Sequence, residues 1–235
     1  PPSPPLLFSS SPLLAQLLLT PYGIREWATA SIAAIAIGVP SALAGWWPLT
    51  AVAALALFGV VWFFRDPPGR RPADSNPLSM VSPADGVVSS VFRDERHEAV
   101  GGPAVVVRIF LSVLDVHVNR SPADAEVVRL EHRPGRYLDA RTEASATLNE
   151  SNLIVLKLVD GRPIGVKQIS GASARRIVCP REPGAKLARG ERFGMIKVGS
   201  TTELILPDPD RVETLVKVGD RVVGGVTILA RIAPA

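Results

Sequence analysis

The part of this sequence most suited to chemistry is Gly199-Ser200-Thr201-Thr202, which separates two apolar runs at 195–198 and 204–206. Together the two runs predict a β-strand, and the glycine and three hydroxyl residues interrupt it. A tight turn is one explanation, because glycine adopts unusual backbone angles at little cost. The other explanation is chemical: a serine hydroxyl can attack the carbonyl before it, and glycine neither blocks that approach nor resists strain.

Such a serine needs a partner, because its hydroxyl is a weak nucleophile unless a general base takes the proton. His117, within a strand-like apolar run, is the candidate base, and Asp85, in a Pro-Ala-Asp-Gly turn, is the candidate to orient it. By themselves the two residues also fit an ordinary core histidine and an ordinary turn aspartate. The chain order Asp85, His117, Ser200 is compatible with a catalytic triad, whose geometry is set in space.

Composition limits the kinds of partner. The chain has 235 residues, 47% of them apolar, and a formal net charge of +4. Its arginines do not alternate with aromatic residues, which disfavours nucleic acid, whereas a mildly basic protein suits an anionic membrane. The single cysteine, Cys179, excludes an internal disulfide. Together with three histidines it offers no pair at zinc-ligand spacing, so no metal site is expected.

A long apolar segment lies in the first third of the chain. No charged residue occurs in 27–64, and Gly45-Trp46-Trp47-Pro48 divides this stretch in two. As helices, residues 28–46 and 49–64 would rise about 28 Å and about 24 Å, against a bilayer core about 30 Å thick. We therefore expect a membrane hairpin over 25–66, either two short spans or a re-entrant hairpin, with one tilted helix plus an interfacial segment as the alternative.

Residues at the ends of the apolar pieces indicate an orientation. All four tryptophans lie there, as in an interfacial aromatic belt. Arg25 precedes the hairpin, and Arg65, Arg70 and Arg71 follow it. Positive charge on both flanks predicts a cell-membrane protein with its following domain on the cytoplasmic side. Residues 1–24 are uncharged and rich in Pro, Ser and Leu, and we expect an N-terminal arm without the basic region of a secretory signal.

The remainder of the chain predicts a mainly β domain. A Pro-rich linker at 67–78 leads into residues 79–235, where short β-branched runs alternate with turns. The clearest runs are 86–92, 104–113, 152–159, 164–170 and 174–179. Little room is left for helices, although 134–147 could hold one turn.

A weak internal repeat refines the fold prediction. GAKLARGERFGMIKV (184–198) and GDRVVGGVTILARI (219–232) share glycines six residues apart, followed by an apolar strand. This turn signature is similar to that of biotinyl and lipoyl barrel-sandwich domains. It predicts a barrel-sandwich, lipoyl-like β domain in which two related β-hairpins pack together.

Several further motifs occur in a fixed order along the chain. They are FFRDPP (63–68), SPADG (82–86), IFLSVLDVHVNRSP (109–122), HRPGRY (132–137), ARRIVC (174–179) and FGMIKVGS (193–200) with TEL close behind. With this set, residues 60–235 resemble the short, membrane-anchored form of phosphatidylserine decarboxylase.

The resemblance implies a self-processing enzyme. In this family the proenzyme cuts itself at a Gly-Ser bond, which maps here to Gly199 and Ser200, and the serine becomes an amino-terminal pyruvoyl group. That cofactor, derived from Ser200, replaces a separate electron sink in decarboxylation. The resemblance also maps the family's Asp-His-Ser arrangement onto Asp85, His117 and Ser200. It implies two fragments that stay together, 1–199 and 200–235.

Two further comparisons with the family concern individual residues. Many family members carry a second histidine three residues after the first, and this chain has Arg120 there. His117 is thus a candidate for both self-cleavage and decarboxylation. Asn149 and Glu150 align loosely with an Asn-Glu pair near the family's substrate pocket and are candidate substrate contacts.

The sequence is compatible with more than one function. The expected activity is decarboxylation of phosphatidylserine in the bilayer to phosphatidylethanolamine, with self-association of the protein left open. The same reaction on another serine-headed lipid, such as an archaeal ether lipid, is one alternative. A membrane-tethered lipoyl-like carrier or adaptor, modified at Lys197 or not at all, is the other.

Overall fold

The computed structural model describes residues 18–172, 176–197 and 199–234. Most of the predicted N-terminal arm, together with residues 174 and 175 of one predicted strand and Val198 of another, therefore lies outside the described residues. The chain divides into two compact units, with the boundary between Pro68 and Gly69. This boundary falls inside the segment 67–78 that was predicted as a linker.

The first unit is a pair of apolar helices, α1 (Ile24–Leu43) and α2 (Trp47–Phe63), preceded by a 3-10 turn at Pro21–Gly23. Pro48 occupies the first turn of α2, where no backbone N–H is needed. The predicted helical pair is confirmed. Within the described residues, Pro21–Leu43 is the one helical stretch long and apolar enough to cross a membrane, and α2 is apolar but shorter. This composition indicates membrane association.

The second unit is built almost entirely of β-strands, which confirms the predicted mainly β class. In chain order the elements are β1 (Ser79–Val81), β2 (Gly86–His97), β3 (Gly102–Leu111), β4 (Val118–Arg120), β5 (Ala125–Arg133), α3 (Glu143–Leu148), β6 (Ser151–Leu158), β7 (Pro163–Ile169), β8 (Ile177–Val178), β9 (Lys186–Leu187), β10 (Arg192–Ile196), β11 (Ser200–Pro207), β12 (Val212–Thr214), β13 (Arg221–Val222) and β14 (Ile228–Ile232). Among the described residues of this unit, α3 is the one α-helix, and a 3-10 turn at Pro209–Arg211 precedes β12. α3 overlaps the segment where one turn was expected.

Eight strands form one sheet in the order β13-β2-β3-β11-β7-β6-β5-β9, which curls into a half-barrel. Two three-stranded sheets complete the unit, β1-β14-β12 and β4-β10-β8. All eight residues of β11 are buried between β3 and β7. Leu204 and Leu206 belong to the main core on one face of β11, and Ile205 belongs to a smaller cluster on the other. A strand held on both edges and both faces gives Ser200 a fixed position.

The internal repeat adopts an arrangement different from the predicted hairpins. In each copy the short strand joins an edge of the eight-stranded sheet, as β9 or β13, and the longer strand is the centre of a small sheet, as β10 or β14. The hairpin prediction is therefore wrong, because each turn carries the chain between sheets. The predicted contact between the copies is confirmed: the turns meet at Gly190 and Gly225, both with positive φ. This contact draws the two edges of the curled sheet together.

Candidate active site

Ser200 lies where the chain passes from one sheet to another. β10 ends at Ile196 in a three-stranded sheet, and β11 begins at Ser200 in the eight-stranded sheet, opposite Leu111 of β3. The interrupted strand predicted from the sequence is thus two strands of different sheets. Ser200 is fully buried, and its Oγ has no hydrogen-bond partner within the described residues. A buried hydroxyl without a partner is unfavourable for stability, and such atoms often have a chemical role.

The peptide bond before Ser200 is shaped by two glycines. Gly199 has φ +54°, in the left-handed region that strains other residues. The backbone of Gly171 lies so close to the Gly199 carbonyl that a Cβ at position 171 would overlap the carbonyl oxygen. The Gly199 carbonyl therefore has a defined position, and the site requires glycine on both sides of this contact.

His117 is fully buried in the segment between β3 and β4. The backbone carbonyl of His117 accepts a hydrogen bond from the Ile196 amide at 3.3 Å, and this bond holds His117 beside β10. Ile196 lies four residues before Ser200. The His117 Nδ1 lies 2.9 Å from the Asp115 carbonyl oxygen. A carbonyl oxygen can only accept, so the neutral imidazole carries its proton on Nδ1 and has Nε2 as the basic nitrogen. Nε2 is also buried.

Asp115, which the sequence reasoning did not select, sets the shape of this segment. Its Oδ2 accepts hydrogen bonds from the Ser112 amide at 2.8 Å and the Ser112 hydroxyl at 2.7 Å. Its Oδ1 accepts from Arg221 at 3.1 Å. The carboxylate thereby closes a turn over residues 112–115 and places the Asp115 carbonyl against His117. A serine three residues before an aspartate was the available signal, since such pairs commonly close turns.

Asp85 is held by a different set of partners. Both of its carboxylate oxygens accept hydrogen bonds from Arg70, and one also accepts from the Gly224 amide at 2.9 Å. Arg70 in turn donates to the Gly224 carbonyl at 2.9 Å. The atom that meets the His117 Nδ1 is the Asp115 carbonyl oxygen, so the structure does not place Asp85 there as a triad carboxylate. A role for Asp85 in processing stays a prediction.

Asn149 and Glu150 hold a loop next to the Gly199 carbonyl. The Asn149 side chain accepts from the Leu138 amide at 2.8 Å and donates to the carbonyls of Leu138 at 2.9 Å and Ser170 at 2.7 Å. The Glu150 carboxylate accepts from the Tyr137 hydroxyl at 2.7 Å. Because Ser170 precedes Gly171, these bonds support the backbone at the Gly199 carbonyl. Direct contact of either residue with a substrate stays a prediction.

A family model for phosphatidylserine decarboxylase matches residues 57–230 of this chain, about three-quarters of it. The chain belongs to the phosphatidylserine decarboxylase family. Three relatives illustrate the similarity, each named phosphatidylserine decarboxylase proenzyme. The protein of Symbiobacterium thermophilum is 46% identical over 79% of this chain and 85% of its own length. Those of Rhodopirellula baltica and Carboxydothermus hydrogenoformans are 39% and 43% identical, over 89% and 84% of this chain and 86% and 92% of their own lengths.

This member of the phosphatidylserine decarboxylase family has Arg120 in place of the second histidine, and the side chain of Arg120 contacts the two repeat turns. Its guanidinium donates to the Gly190 carbonyl at 3.0 Å, and its Cδ lies against Gly225. Arg120 therefore sits between the two repeat turns. His117 is the imidazole that this segment supplies next to β10. Among the described residues, no group of three or more His, Cys, Asp or Glu side chains could hold a metal ion.

A buried chain of amides lies on the Ser200 face of β11 and was not predicted from the sequence. Thr202 shares this face because side chains alternate along a strand. Its Oγ1 accepts from Asn119 at 3.1 Å, Asn119 accepts from Gln168 at 2.9 Å, and Gln168 accepts from Asn152 at 2.9 Å. All four side chains are buried. The chain links β11 to β4, β7 and β6, so the register of the Ser200 strand is specified by polar groups as well as by packing.

The opposite face of β11 supports the loop after β5. Thr201 Oγ1 donates to the Ala140 carbonyl at 3.2 Å. Arg108 bonds the buried Glu203 at 2.8 Å and the exposed Glu143 at 2.9 Å. Burial works against the charged form of Arg108, but these two carboxylates outweigh it and raise the pKa of Arg108. The guanidinium therefore stays charged and fastens this loop beside the Ser200 end of the sheet.

Proposed function

We propose that this protein is a self-processing, pyruvoyl-dependent decarboxylase that converts phosphatidylserine to phosphatidylethanolamine and carbon dioxide. The observation that carries the proposal is the Ser200 hydroxyl, buried without a hydrogen-bond partner in the described residues and preceded by a left-handed glycine. The relatives' name, phosphatidylserine decarboxylase proenzyme, supports both the lipid substrate and a processed precursor.

Processing begins with attack of the Ser200 Oγ on the carbonyl carbon of Gly199. The amide bond between the two residues breaks, its nitrogen takes up a proton, and Gly199 becomes an ester on the serine oxygen. Removal of the α-proton of residue 200 then expels Gly199 as a carboxylate and leaves dehydroalanine. One water molecule converts this residue to a pyruvoyl group and releases ammonia.

His117 is the base that suits the first step. Because the Nδ1 proton points to the Asp115 carbonyl, Nε2 is the basic nitrogen and accepts the serine proton. The imidazole is held beside β10. From the end of β10 the chain continues directly to the reacting bond between Gly199 and Ser200. Asp85 acts on this arrangement from further away, by holding Arg70 and Gly224 at the same end of the sheet. We propose that Asp85 is a positioning residue.

Residue 200 is a suitable place for a pyruvoyl group. Such a group supplies an electrophilic ketone that binds the substrate amine and accepts the electrons of the breaking carbon–carboxylate bond. The absence of a partner for the Ser200 hydroxyl within the described residues means that its loss breaks no hydrogen bond there. β11 pairs with β3 and β7 along its length, so the fragment 200–235 stays bound to 1–199 after cleavage.

Membrane attachment fits a substrate that stays in a bilayer. The apolar stretch Pro21–Leu43 and helix α2 supply the anchor. Arginines on both sides of this pair support a cytoplasmic position for both flanks. A carrier role is not favoured, because Lys197 joins strands of two different sheets and does not occupy the tip of a hairpin.

Mass spectrometry of the purified full-length protein on phosphatidylserine vesicles tests the proposal. We expect fragments 1–199 and 200–235 in place of one 25.0 kDa chain, and conversion of the lipid to phosphatidylethanolamine. Cyanoborohydride added during turnover should fix lipid on the first residue of fragment 200–235 and none on Lys197. An active protein whose fragment begins with unmodified serine would refute the pyruvoyl assignment.

A further inference from the structure

One end of the eight-stranded sheet collects the residues of the site. Ser200 of β11 pairs with Leu111 of β3, and Val222 of β13 pairs with Gly86 of β2. Val87 pairs with Phe110, so Leu111 and Gly86 belong to one row across the sheet. The residues one step beyond this row are Gly199, Ser112, Asp85 and Val223. The 112–115 loop, which the turn at Asp115 closes, therefore projects from the Ser200 end of the sheet.

This loop exposes two large apolar side chains in succession. Val113 is 53% exposed and Leu114 is 69% exposed, while Val223 on the neighbouring turn is 38% exposed. A single exposed leucine is common on protein surfaces and needs no explanation. Three exposed apolar residues at the end of the sheet that holds the reacting serine are a more specific pattern.

The same loop is stiff and flanked by positive charge. Asp115 bonds both the amide and the hydroxyl of Ser112, so Val113 and Leu114 stand on a closed turn. The negative charge of Asp115 is paired with Arg221, whose side chain is 72% exposed. Arg71, next to the Arg70 that bonds Asp85, is exposed as well. An apolar tip with cations beside it is the composition that binds an anionic lipid surface.

We propose that the 112–115 loop docks on the bilayer, with Val113 and Leu114 entering the interface and Arg221 facing anionic headgroups. The proposal rests on the proposed function, because a lipid that keeps its acyl chains in the bilayer must bring its headgroup to residue 200. Docking by this loop places the Ser200 end of the sheet at the membrane. Leu114, which would contact the membrane, lies three residues before His117, within the segment that positions the imidazole.

Fluorescence of the full-length protein in vesicles tests the contact directly. Cys179 is replaced by serine, since it is the one native thiol, and burial already raises its pKa and slows its labelling. Leu114→Cys and, separately, Val159→Cys then carry an environment-sensitive nitrobenzoxadiazole label. Val159 is 91% exposed on the turn between β6 and β7. It lies near the Pro207 end of β11, about 23 Å along the sheet from Ser200.

We expect nitroxide-bearing lipids to quench the label at position 114 at least fivefold more strongly than the label at 159. Equal quenching at the two positions overturns the proposal. The comparison is repeated in a Ser200→Ala background, where no processing or turnover is needed. The docking result is therefore independent of whether the decarboxylase assignment succeeds.

A kinetic arm tests the consequence for turnover. Val113→Ser/Leu114→Ser should process normally, lose about tenfold in turnover of phosphatidylserine in vesicles, and retain turnover of a short-chain, water-soluble phosphatidylserine. The control Val159→Ser should match the parent protein on both substrates. Equal loss on the two substrates, or no loss on vesicles, contradicts docking by this loop. If the parent protein turned over neither substrate, the proposed function would be contradicted. Docking would then be tested by the quenching measurement alone.

Discussion

The backbone of Gly171 packs directly against the carbonyl oxygen of Gly199, and this contact leaves no room for a side chain at position 171. The carbonyl belongs to the peptide bond that we expect to be cleaved. Ser170, one residue earlier, is tied to Asn149 and Glu150. The position of the reacting carbonyl thus depends on a loop and a strand end that are distant from it in sequence.

Gly171→Ala should slow self-cleavage at least tenfold, because the new methyl group displaces the Gly199 carbonyl. The time course of cleavage after cell-free synthesis, followed on a denaturing gel, measures the effect. Gly102→Ala is the matched control, since a Cβ at position 102 meets open space. Cleavage of Gly171→Ala at the parent rate, in a protein with unchanged circular dichroism, would contradict this role of the contact.

Ser200→Ala should leave a single uncleaved chain without destabilising the fold. Relative to an uncleaved chain that keeps Ser200, such as His117→Ala, the variant removes a buried hydroxyl that has no hydrogen-bond partner in the described residues, so we expect an unchanged or higher Tm. Denaturing gels and calorimetry measure the two outcomes. Thr201→Ala, on the opposite face of β11, should still be cleaved. Splitting of Ser200→Ala at the same bond would exclude the serine mechanism.

His117→Ala should slow maturation by about 10²–10⁴-fold, the usual contribution of a general base. Because Nε2 is the proposed acceptor, raising the concentration of free imidazole should partly restore cleavage. His97→Ala is the control, since His97 lies at the far end of β2, paired with Gly102. Normal cleavage and normal turnover in His117→Ala would remove this residue from both steps.

Asp85→Asn should slow maturation, and Arg70→Gln should slow it by a similar factor. The physical reason is that the two side chains form one bidentate ion pair, and each loses its function without the other. A double-mutant cycle on the cleavage rate measures the coupling. We expect the double variant to be no slower than either single one. If Arg70→Gln cleaved at the parent rate while Asp85→Asn cleaved slowly, Asp85 would act without Arg70.

Removal of residues 1–68 should leave self-cleavage intact, because Asp85, His117 and Ser200 all belong to the unit that begins at Gly69. Activity on phosphatidylserine in vesicles should fall, since the apolar helices are lost. Gel analysis and lipid turnover report the two effects separately. A truncated protein that folds, by circular dichroism, yet stays uncleaved would assign the helical unit a part in processing.

Local sequence was sufficient for several features of this protein. The uncharged stretch before Phe64 predicted the apolar helix pair, because hydropathy and length alone decide whether such a segment suits a membrane. β-branched runs predicted β2, β3, β6 and β7, since they fit a pleated, buried surface. The ordered motifs from FFRDPP (63–68) to FGMIKVGS (193–200) indicated the family. Each single helix, strand or motif among these signals lies within a short window of the chain.

The remaining features depend on contacts between distant residues, which no short window records. Each repeat resembles a hairpin in sequence, but its strands separate because β9 and β13 find partners in β5 and β2. Asp85 is a plausible triad member by order, yet the folded chain places Arg70 against it. The partner of the His117 Nδ1 is a backbone carbonyl oxygen. Every residue has such an oxygen, so residue types in the sequence could not indicate which one would meet the imidazole. The motif around Ser200 was sufficient to predict its role. Its environment depends on the tertiary structure, which places β3, β7 and Gly171 around it.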